Sequence, residues 1–212
     1  MARRSVRGDM MRQAIAREAA RLMIEHGHDD YGFAKRKAAE RFGVTDLAVL
    51  PKNTEIEAAL AEHQRLFGAE KHAGELTEMR SIALEAMRLL EEFEPRLVGP
   101  LLSGTATAHS DITLHLFADT PETVVVRLID RGIRHEFAER RFRTHDDEVE
   151  AYPAVRFAAG THEVDATIFP KDGIRQAPPG PVDGKPMRRA SAAEVESLLA
   201  EYPTGPYPVD TL

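Results

Sequence analysis

The chain has 212 residues, no cysteine and a formal net charge of −7, with 42% hydrophobic and 30% charged residues. This is the composition of an ordinary globular protein with enough chain for a sizeable core, and the lack of cysteine excludes disulfides, thiolate zinc sites and a cysteine nucleophile. No apolar run approaches the ~20 residues of a bilayer span, and the basic start Met1–Arg7 lacks the apolar stretch of a secretory signal, so a cytoplasmic protein with no membrane partner is expected.

The charge is uneven. Residues 1–51 carry 10 Lys and Arg against 7 Asp and Glu, a surplus of three positive charges, which leaves −10 to the remainder. A basic front on an acidic body offers a face to RNA or to a protein partner. A solvated helical surface has the same composition.

In chain order, Asp9 is a candidate N-cap. Met11, Ile15, Ala19, Leu22 and Met23 then recur at helical spacing as far as Gly27. Tyr31 to Phe42 predicts a second helix, with Ala34, Ala38 and Phe42 on its apolar side, Lys35-Arg36-Lys37 in its middle and Gly43 as its C-cap. Asn53 or Thr54 caps a third helix, which carries Ile56, Leu60 and Phe67 in one stripe and stops at Gly68. The longest helical pattern is Glu75 to Phe93, ended by Pro95. Residues 9–68 therefore predict a helical hairpin or bundle, and 75–94 a helix laid on a sheet.

Strands are predicted over 96–102, 111–118, 135–143, 152–159 and 162–169. A short helix, Pro121 to Arg131, separates the second from the third, and Ala159-Gly160-Thr161 turns the last two into a hairpin. Helices followed by a mixed sheet define an α+β protein. Beyond Phe169 the prolines and glycines exclude regular structure until Ser191-x-x-Glu194, a capping box, opens a last helix. The expected organisation is a helical region over 1–70, an α/β core over 71–170, and a Pro/Gly-rich loop with a final helix and tail over 171–212.

The chemistry concentrates between Pro100 and Asp119. The small turn Ser103-Gly104-Thr105 can let a phosphate approach backbone N–H groups, and Asp111, at the mouth of the next strand, can hold the Mg²⁺ that accompanies a phosphate. A plain tight turn and a capping carboxylate explain the same residues structurally. His109 and Ser110 share the turn. Thr113 and His115 follow Asp111 on one strand face, where His115 serves as ligand, base or simple polar residue. Asp165 interrupts an apolar alternation, and a carboxylate there needs solvent or a partner. Arg140-Arg141 and Arg188-Arg189 are further phosphate contacts to consider. His26, His28, Asp29 and Asp30 form the densest His/Asp patch and read as a loop. Phosphate-loop, dinucleotide, zinc-protease and serine-hydrolase motifs are absent.

S-G-T followed by S-D-I-x-L resembles the active-site motif of the nucleotidyltransferase superfamily, the DNA polymerase β-like fold. In that family a Gly-Ser turn precedes an Asp-x-Asp pair on the next strand, and a third Asp sits on a later strand. Here Gly104-Thr105 stands for the turn, Asp111 for the first Asp and Asp165 for the third. Thr113 replaces the second, and the turn is shorter than the family's. The resemblance implies a mixed sheet flanked by helices behind the helical N-terminal region. It also implies NMP transfer from an NTP to a hydroxyl, with Asp111 and Asp165 as catalytic and Mg²⁺-binding residues and Ser103, Gly104, Thr105 and Ser110 on the nucleotide. Because Thr113 supplies no bridging carboxylate, a second expectation stands beside it: the same fold without catalysis, binding a nucleotide, an RNA or a protein.

Overall fold

The computed structural model describes residues 2–26, 30–67, 69–144 and 148–201, with the side chains of 2–7 and 47 left aside. Gly27, His28, Asp29, Gly68 and the tail beyond 201 lie outside the described residues.

Three helices form the front: α1 (Ala2–His26), α2 (Tyr31–Arg41) and α3 (Asn53–Phe67). Their shared core contains Ile15, Ala19 and Met23 of α1, Ala34 and Ala38 of α2, and Ile56 and Leu60 of α3. The alanines let the helix axes approach closely while the larger residues fill the layer. Two expectations on helix starts change. Helix α1 begins well before Asp9, which sits inside it 3.7 Å from Arg12. Neither Asn53 nor Thr54 caps α3. The Lys52 carbonyl accepts the first helical bonds, from Glu55 and Ile56, while the Lys52 N–H donates to the Glu55 carboxylate at 2.7 Å. Asp30 does cap α2, accepting from the Phe33 N–H at 3.0 Å.

Helix α4 (Ala69–Leu89) starts before the expected Glu75 and ends before Phe93, where Glu91–Phe93 forms a separate 3-10 turn; it packs on the sheet through Leu76, Met79, Ala83 and Met87. The expected strand over 96–102 is only partly a strand. β1 is Arg96–Leu97, and Gly99–Ser103 forms a short helix, α5, with Pro100 in its first turn and Gly104 left-handed at its end, φ +86°. Pro100 has no N–H for a sheet but suits the start of a helix, where that N–H would go unpaired. The apolar pair Leu101-Leu102 is equally consistent with a strand and a buried helix.

The rest of the chain adds β2 (Ile112–Phe117), α6 (Pro121–Asp130), β3 (His135–Arg143), β4 (Val149–Ala159), β5 (His162–Phe169) and α7 (Ala192–Glu201). The sheet order is β1-β2-β5-β4-β3, with β2 and β5 parallel and all other neighbours antiparallel. The architecture is α+β, as expected. Ile112, Leu114, Leu116, Val164, Ala166 and Ile168 fill the core against α4 and α6. By strand alternation Thr113, His115, Phe117, Asp165, Thr167 and Phe169 face the other way. That face is concave. Phe142 lies three strands from His115, yet their ring centroids are 5.7 Å apart, so β3 curls over the sheet. Residues 170–190 cover this face and return to β1, where Ala190 and Leu97 exchange hydrogen bonds of 2.8 and 2.9 Å. The capping box forms: the Glu194 carboxylate accepts from the Ser191 N–H at 2.7 Å. No helix among the described residues is long and apolar enough to cross a membrane.

Candidate functional site

Parallel pairing of β2 with β5 puts Thr113 directly beside Asp165. Asp111 stands one residue before β2, on the same side. Strand β4 places Arg156 opposite Asp165. Arg156 bonds the Asp111 carboxylate at 3.3 Å, pairs with Glu163, and holds its Nε 3.8 Å from Asp165 Oδ2. Arg140 reaches across from β3 and donates to the same Asp165 oxygen. Between them on the register lies the pair of small residues Ala138 and Ala154. Asp165 is only 5% exposed, and its Oδ1 accepts no hydrogen bond from any described residue. Burial pushes the Asp111 carboxyl above its ordinary range; Arg156 opposes that shift, while Glu163 and Asp165 add to it.

The two predicted catalytic aspartates are thus brought to one end of this face, but each carries a guanidinium. Thr113 adds no charge between them. Among the described residues no three His, Cys, Asp or Glu side chains converge as metal ligands. A hard cation wants several oxygens and few competing positive charges. Two carboxylates, each already bonded to an arginine, fit Mg²⁺ poorly.

His115 goes elsewhere. It is fully buried, its Nδ1 accepts from Arg189 Nε at 3.0 Å, and Phe169 and Phe142 pack around it. Burial first, then the Arg189 charge, pulls its pKa down to about 3, so the ring is neutral, with its proton assigned to Nε2 by the Arg189 bond. Arg189 in turn lies 4.9 Å from the centre of the Phe117 ring. The cluster is buried, and His115 Nε2 has no hydrogen-bond partner among the described residues.

The predicted phosphate turn is occupied by its own backbone. The N–H groups of Gly104, Thr105 and Ala106 all point to the Pro100 carbonyl, at 2.9, 2.9 and 3.1 Å. Ser110 is buried and accepts from the Thr107 N–H at 3.0 Å. The turn that faces Thr113 is instead Gly99-Pro100. Gly99 has φ +72°, and a Cβ there would sit 3.8 Å from Thr113 Oγ1. The Gly-Pro dipeptide is a local break signal that sequence reading can catch.

A cavity of about 610 Å³ opens at this turn, lined by Gly99, Pro100 and Thr113, by Tyr31 and Glu57 from the helical front, and by Lys185 and Arg188 of the covering loop. Tyr31 and Glu57 carry no sequence signal of their own; only the docking of the front onto α5 brings them here. Ser103 and Thr105 both approach Glu57 Oε1, at 3.3 and 3.2 Å, so the predicted nucleotide residues contact this carboxylate. The basic run of α2 is largely spent within the chain: Lys35 donates to the Pro51 carbonyl at 3.1 Å and Lys37 pairs with Glu40. A second cavity, about 700 Å³, lies beside Phe142, Tyr152 and Phe169, under the segment that covers this face.

Comparison with protein-family models, with curated proteins and with solved structures returns no match.

Proposed function

We propose that this chain is a nucleotidyltransferase-like protein without metal-dependent catalysis, and that it binds a nucleotide in the cavity between the helical front and Thr113. The observation that carries this reading is the arginine pairing: Arg156 sits on Asp111 and Arg140 on Asp165, with a threonine between the carboxylates. Nucleotidyl transfer relies on metal ions bridged by carboxylates, and a divalent cation here would have to displace two guanidinium groups. The adjoining cavity of about 610 Å³ falls within the size range of small-molecule sites, and Lys185 and Arg188 supply cations for phosphate oxygens.

Active, Mg²⁺-dependent NMP transfer is the second reading. The buried, unbonded Asp165 Oδ1 favours it, because such an acceptor suits a cation.

A thermal-shift titration with each of the four NTPs, with and without Mg²⁺ or Mn²⁺, separates the two. Ligand binding to the folded state raises the apparent melting temperature by mass action. The expected result is a shift that needs no metal and persists in Asp111→Ala. A metal-dependent shift lost in Asp111→Ala overturns the proposal in favour of the transferase. No shift with any NTP overturns nucleotide binding itself.

A further inference from the structure

Within the cavity beside Thr113 one side chain is oriented with unusual care. Glu57, on α3, is held from three sides. Tyr31 Oη donates to its Oε2, and Ser103 and Thr105 lie at 3.3 and 3.2 Å from its Oε1. The two hydroxyls also bond each other at 2.9 Å. Each hydroxyl has a single proton. Their mutual bond uses one of the two, so at most one reaches Oε1. Ser103 Oγ also lies 3.2 Å from the Pro100 carbonyl, so each Glu57 oxygen accepts at most one hydrogen bond from these groups and keeps a lone pair.

The result is a fixed two-oxygen fork on the wall of a cavity whose other wall carries Arg188 and Lys185, the latter 3.7 Å from the Asp183 carboxylate that also lines it, and whose remaining surface includes Pro100, Pro186 and Met187. A fork of this kind matches two parallel N–H donors on one planar edge, as Arg–carboxylate pairs illustrate. An occupant that offers such an edge, a flat ring for the apolar surface and an anion for the cations is a guanine nucleotide. Adenine presents no pair of adjacent N–H donors of this kind. We infer that Glu57 reads the N1–H and N2 amino edge of a guanine nucleotide, with Ser103, Thr105 and Tyr31 as positioning residues that hold the carboxylate. This rests on the nucleotide-binding reading above.

The test is isothermal titration of the full chain with GTP, ITP and ATP. ITP keeps N1–H but lacks the N2 amino group. A hydrogen bond to a charged group changes affinity about ten- to hundredfold. ITP is therefore expected to bind at least tenfold more weakly than GTP, with ATP weaker still. Glu57→Gln, similar in size, is expected to erase the preference for GTP over ITP. Should that variant fail to fold, the GTP-to-ITP ratio of the unaltered protein still decides. Equal binding of GTP, ITP and ATP overturns the inference while leaving the nucleotide reading intact. Absence of binding by all three overturns both. Loss of affinity in 2′,3′-dideoxy-GTP together with no base preference moves the contact to the ribose and also overturns it.

Discussion

His115 makes the fold acid-sensitive in a way that can be calculated. Its pKa is about 3 in the folded chain, against an ordinary 6.5 when unfolded. Below pH 6.5 the unfolded state binds a proton that the folded state refuses. Stability therefore falls as pH falls from 6.5 toward 3 and is flat, for this group, above 6.5. Each pH unit in that window is worth about 1.4 kcal/mol, so moving from pH 7 to pH 4.5 costs about 3 kcal/mol. The residue is fully buried, so solvent does not screen this cost. The matching variant is His115→Asn, whose Oδ1 can still accept from Arg189 but which does not titrate. Urea unfolding of both proteins at pH 7, 6, 5 and 4.5 reads the effect, with carboxylate titration common to both. The unaltered protein should lose about 3 kcal/mol more than the variant between pH 7 and 4.5. Parallel losses would refute the sealed, neutral histidine and return His115 to the pool of candidate bases.

Arg140→Ala should destabilise the protein by about 2 kcal/mol in chemical denaturation, below the 3–5 kcal/mol of a fully buried pair, because Arg156 still stands 3.8 Å from Asp165 and Arg140 is itself partly exposed. Adding Asp165→Asn should recover part of that loss, and strict additivity would argue against the pair. Gly99→Ala should cost about 1–2 kcal/mol from left-handed backbone strain alone, since nothing lies closer than 3.8 Å to the new methyl group; a loss above 4 kcal/mol by the same assay would point to a clash. Asp111→Asn should flatten stability against pH just above the ordinary carboxylate range. Burial raises that carboxyl in the folded state, so ionising it there weakens the fold as pH rises.

The arginines change what the carboxylates can do. With Arg156 on Asp111 and Arg140 on Asp165, both carboxylates are engaged within the chain, while the neighbouring cavity keeps Glu57 on its wall. The same substitution pattern is invisible in a motif read along one strand. Asp111 and Thr113 are two residues apart, but the groups that neutralise the site come from β3 and β4, 29 and 45 positions further on for Arg140 and Arg156 relative to Asp111.

Local patterns carried most of the architecture. Period-3.6 stripes placed α3 and α4, alternation placed β2, β3 and β5, Gly160 turned the final hairpin with φ +59°, and Ser191 with Glu194 capped α7. These features depend on residues near in sequence, so a single chain displays them. Asp111 and Asp165 were legible because a carboxylate at a strand mouth and another in an apolar strand both demand partners. The identity of those partners was not legible. Parallel pairing of β2 with β5, the curl that brings Arg140 over the sheet, the helix at Pro100, and the docking of Tyr31 and Glu57 against Ser103 and Thr105 all arise from contacts between distant segments. Apolar periodicity says that a face is buried. It does not say against what, and only packing of the complete fold decides which charges meet there.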